Sequence, residues 1–82
     1  MTTTIRFRVK KEVDTPTARK ILSLKGSLIA QSYTHLIHYD DADEHTYIHY
    51  FTTEAVRGRE ATDYILAYIE KEGLHDLVHM VR

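Results

Sequence analysis

The stretch from Ile5 to Val13 places Ile5, Phe7 and Val9 on one parity and Arg6, Arg8 and Lys10 on the other. Side chains of a strand alternate between faces, so this pattern predicts a strand with one face buried and one face wet. Such a strand cannot stand alone, because it needs neighbours in a sheet and a layer over its apolar side. A chain of 82 residues has room for one hydrophobic core, which predicts a single domain spanning residues 1–82.

The remaining segments supply the missing pieces. Asp14-Thr15-Pro16 reads as a helix start, with a capping side chain ahead of a proline whose fixed φ suits the first turn. The helix is expected from about Pro16 to Lys25, with Ala18, Ile21, Leu22 and Leu24 as its apolar stripe and Gly26 as its cap. From Ser27 to Tyr39 the pattern turns extended, and the acidic run Asp40-Asp41-Ala42-Asp43-Glu44 reads as a hairpin turn. His45 to Thr52 is the aromatic-rich return strand. A second helix is expected from Thr52 or Thr53 to about Lys71, weakened at Gly58 and ended at Gly73, before a closing strand from Leu74 to Val81. This β-α-β-β-α-β order resembles the ferredoxin-like superfold. The resemblance implies an α+β split βαββαβ sandwich, a four-stranded antiparallel sheet with two helices on one face. It implies no activity, since that superfold hosts many functions.

With helices on one side only, the other side of the sheet is left open. A hairpin that sets Tyr39 opposite His45 puts Tyr39, Tyr47, His49 and Phe51 on one face. If Ile5, Phe7 and Val9 face the helices, Arg6 and Arg8 stand on the open side next to that strand. The expected surface therefore combines Arg6, Arg8, Tyr39, Tyr47, His49 and Phe51, with Arg57 and Arg59 at a neighbouring edge. Rigid rings and arginines are the composition of protein interfaces, so a protein partner is expected there, a second copy of the chain in a homodimer being the alternative occupant. Single-stranded nucleic acid suits the same side chains. RNA-recognition domains share this topology, but parity sends Phe7 into the core here, and Thr46 to Phe51 lacks that family's glycine and basic residues. A third reading, by resemblance in topology to dimeric α/β-barrel proteins, is a small ligand or substrate enclosed between two sheets.

Composition narrows the chemistry. No cysteine is present, which excludes disulfides, thiolate metal sites and cysteine nucleophiles, and points to the cytoplasm. The formal charge of −1 gives no bulk attraction to nucleic acid. No apolar run long enough for a leader or a membrane span follows Met1. Six histidines raise the question of metal. His35 and His49 are expected as cross-strand neighbours and His75 and His79 are four apart in a strand, but neither pair completes a ligand set. The acidic turn lacks the glycine and distal glutamate of a calcium loop. Ser23, Ser27 and Ser32 have no nucleophile-elbow context, and no glycine-rich phosphate loop is present. The expectation is a cytoplasmic, non-enzymatic interaction module without cofactor or metal, a regulator or inhibitor of a larger protein.

Overall fold

A computed structural model describes residues 1–81. Strand β1 (Thr2–Lys10) leads into helix α1 (Thr15–Ala30), strands β2 (His38–Asp41) and β3 (Thr46–Glu54), helix α2 (Gly58–Glu72) and strand β4 (Val78–Val81). A short 3-10 turn, Ala55–Arg57, joins β3 to α2. The fold is α+β: one four-stranded sheet in the order β2-β3-β1-β4, with every neighbouring pair antiparallel, and two helices. No helix among the described residues is long and apolar enough to cross a membrane.

The alternation in β1 does what it predicts: Ile5, Phe7 and Val9 are buried while Arg6, Arg8 and Lys10 are exposed. They join Ile21, Leu24 and Leu28 of α1, Ala61, Ile65 and Ile69 of α2, and Phe51 and Val78 in one core. The helix start at Asp14 also forms as expected. Its carboxylate accepts a hydrogen bond from the Thr17 amide at 2.8 Å, with Pro16 in the first turn.

Helix α1 does not stop at Gly26 but runs on to Ala30. Glycine inside a helix costs about 1 kcal/mol relative to alanine. Completely burying Leu28, two residues further on, returns about 2 kcal/mol or more, so tertiary packing overrides the local stop signal. The end falls instead at Ser32, which takes φ 62°, followed by Tyr33 in the core. Arg57 fastens this turn. Its guanidinium donates to the Ser32 carbonyl at 3.1 Å, pairs with Glu60 at 3.0 Å and lies 4.2 Å from the centre of the Tyr33 ring. The Tyr33 hydroxyl donates to the same Glu60 carboxylate at 2.7 Å.

The lengthened helix leaves β2 with four residues in place of the long strand expected from Ser27. Residues 74–77 form a turn rather than the start of β4. Gly73, at φ 67°, caps α2 as its position suggested, with the Leu74 amide donating to the Ile69 carbonyl at 2.8 Å. Gly58 starts α2 rather than weakening its interior, and a Cβ there would lie 2.8 Å from Thr3 Cγ2. The absent side chain lets α2 settle onto β1.

Candidate functional site

The pairing of β1 with β3 decides what the sheet presents. Ile5 lies opposite Phe51, Phe7 opposite His49 and Val9 opposite Tyr47. Directly opposed residues share a face, so the odd-numbered residues of β3 lie on the core side with those of β1. This corrects the expected surface. Phe51 is buried among the helices and His49 is 6% exposed, while Tyr39 and Tyr47 lie on the helix side too, at the flank of α1. The hairpin register differs as well: Tyr39 is opposite His49, not His45. The turn forces this. The Ala42 and Asp43 amides both donate to the Thr46 carbonyl, and the Asp43 carboxylate accepts from the His45 and Thr46 amides at 2.8 Å each. Those bonds, that from the His45 amide foremost, hold the Asp43 carboxyl below its ordinary pKa. His35 lies before β2 and is not the cross-strand neighbour of His49. Among the described residues no three side chains of metal-ligating type converge.

The helix-free face is built from the even-numbered residues of β1 and β3. Two rows cross it from strand to strand. Val81, Arg6, Tyr50 and His38 form one, and His79, Arg8, Ile48 and Asp40 form the next. Thr4 and Thr52 lie opposite each other beyond the first row, and Lys10 and Thr46 beyond the second. The His38 and Tyr50 rings stack 5.2 Å apart at 21°, and the Tyr50 hydroxyl donates to Asp40 at 3.2 Å. That acceptor raises the Tyr50 pKa, so the phenol stays protonated at neutral pH. Arg8 reaches Asp43 at 3.4 Å, whereas Arg6 has no carboxylate within ion-pair distance among the described residues. Among the described residues the face thus offers one guanidinium without an ion-pair partner beside an oriented tyrosine, bordered by Ile48 and Val81.

The eight residues singled out from the sequence do not form one surface. Arg6 and Arg8 are central to the helix-free face, Tyr39, Tyr47 and His49 lie behind it, and Phe51 is core. Arg57 is engaged inside the chain, and Arg59 lies on α2, 3.9 Å from Asp63. Ile48, Tyr50 and His38 were missed. The available signal was that Phe51, the one phenylalanine of β3, belongs with Phe7 in the core, which fixes the strand's parity.

His49 is an unusual core residue. Its ring is stacked between Phe7, at 5.1 Å and 6°, and Tyr39, at 5.7 Å and 25°. Its Nδ1 is buried without a hydrogen-bond partner. Burial, with the nearby Lys25 charge adding to it, pushes its pKa down to about 4. The imidazole is therefore neutral at physiological pH.

No family model matches the chain, and no curated protein or solved structure matches it significantly.

Proposed function

We propose that the chain is a non-enzymatic protein-interaction module, a regulator or inhibitor of a larger protein, which it engages through the helix-free face of its sheet. The observation that carries this reading is the row Val81-Arg6-Tyr50-His38 on that face. Arginine and tyrosine are the residues on which binding energy concentrates when they become buried at the centre of an interface. Here both are held by rigid strands, and Tyr50 is oriented by His38 and Asp40. The chain order of its strands and helices, taken with the strand order β2-β3-β1-β4, supports reading the architecture as the ferredoxin-like split βαββαβ sandwich. In that architecture an open sheet face is the surface left for binding.

Charge argues for a partner other than a second copy. Two such faces stacked on each other would bring together two copies of Arg6, which has no carboxylate within ion-pair distance among the described residues. A partner with a carboxylate for Arg6 and an apolar patch for Ile48 and Val81 has no such cost. Asp40 and Asp43 border the same face, which disfavours the polyphosphate of a nucleic acid.

The test is capture of the partner from cells that contain the protein, comparing the wild type with Arg6→Ala, Tyr50→Ala and, as control, Arg59→Ala. The first two are expected to lose at least about tenfold in affinity, the usual loss at a central interface residue. Equal retention by all the variants would defeat the reading. Binding that falls steeply with salt and transfers to a single-stranded oligonucleotide would replace it with nucleic-acid recognition.

A further inference from the structure

On the opposite side of the sheet, between α1 and the β2–β3 hairpin, lies a cleft of about 310 Å³. This is the lower end of the range for small-molecule sites. Val9 and Ile21 are among its apolar lining, and Tyr39, Tyr47, Lys25 and His49 line it too. The Tyr39 and Tyr47 rings meet edge to face at 5.6 Å and 86°, so they make two walls of a corner rather than one flat patch. The Lys25 ammonium sits 5.5 Å from the centre of the Tyr39 ring. Lys11 stands over Tyr47 at 5.1 Å but is neutralised by Asp41 at 3.0 Å. Lys25 has no carboxylate within ion-pair distance among the described residues.

We propose that this cleft is a binding site for a small planar monocarboxylate, whose ring packs into the Tyr39–Tyr47 corner and whose carboxylate meets Lys25. Two features point to that chemistry. Lys10 also borders the cleft but belongs to the even-numbered set of β1 on the opposite face. On the helix side, Lys25 is thus the lining cation without an ion-pair partner among the described residues, which matches a single negative charge and offers too few donors for a phosphate dianion. Its walls are aromatic and its floor aliphatic, which suits a flat apolar body. His49 closes the stack behind Tyr39 at the same cleft, and its Nδ1, like Thr53 Oγ1, is buried without a hydrogen-bond partner.

The site is independent of the helix-free face, so each can fail without the other. The experiment is a titration of the full chain with phenylacetate, followed residue by residue through NMR shifts, with phenylacetamide as the uncharged analogue. Saturable shifts centred on Lys25, Tyr39, Tyr47 and His49 are expected. Affinity should fall about tenfold for the amide and for Lys25→Met, the loss that goes with one charge-assisted hydrogen bond. Arg6→Ala should bind phenylacetate like the wild type. Lys25→Met keeps the aliphatic stem on the helix surface, and a dispersed spectrum of that variant establishes that the fold is intact. Shifts that do not saturate, shifts centred elsewhere, or equal binding of acid and amide would overturn the proposal.

Discussion

At the scale of single residues, His49 sets a pH limit on the fold. Its pKa of about 4 in the native state lies below the ordinary histidine value of about 6.5. The unfolded chain therefore takes up the proton first. Above about pH 6.5 the residue contributes no pH dependence, and stability falls as pH drops from there through 4, by at most about 3 kcal/mol. Urea unfolding at several pH values should show that slope, and His49→Phe should flatten it while raising stability at pH 7 by about 1 kcal/mol, since the bare Nδ1 is gone. A variant that keeps the wild-type slope would show that another group carries it. Gly58 offers a second test at this scale. Gly58→Ala is expected to cost about 1 kcal/mol through the contact with Thr3 Cγ2. In a Thr3→Ala background the same change should become neutral or stabilising, because alanine is the better helix residue. A thermodynamic cycle of the four proteins reads the difference directly.

At the scale of elements, the contest between local signals and packing explains what the sequence disclosed. The β1 alternation, the Asp14 start and the Gly73 stop were legible because each is decided within a few residues. The length of α1 was not, because Gly26 is a valid stop by propensity and is overruled only by Leu28, whose burial depends on the sheet. Gly26 itself is exposed, and a Cβ there would touch nothing within 4 Å. Gly26→Ala should therefore stabilise the protein by about 0.5–1 kcal/mol in thermal or urea unfolding. Destabilisation would show that the helix is broken there. The facing of β3 was the costlier miss. Its two sets, Tyr47-His49-Phe51 and Ile48-Tyr50, are both apolar enough to be buried, so periodicity alone leaves the choice open. The decision is made by β1, across the sheet, through the opposition of Phe7 with His49 and Ile5 with Phe51.

At the scale of the whole molecule, the consequence is a division of labour between the two sides of one sheet. The helix side holds the core, from Ile5, Phe7 and Val9 to Leu24, Leu28 and Ile65, and leaves the Lys25 cleft at its margin. The other side keeps Arg6, Arg8, Tyr50 and Ile48 on the two central strands, where no helix covers them. The candidate surface was thus half legible: its arginines follow from the β1 pattern, and its aromatic half came from the wrong parity of β3. The reading of this face as a surface for another protein is tested most directly by the mass of the chain in solution, followed by light scattering over a roughly hundredfold range of concentration. The account predicts the 9.6 kDa monomer throughout, with the arginine-rich faces keeping apart. A stable dimer that Tyr50→Ala or Arg6→Ala disperses would contradict it, because the face would then be occupied by the chain's own copy.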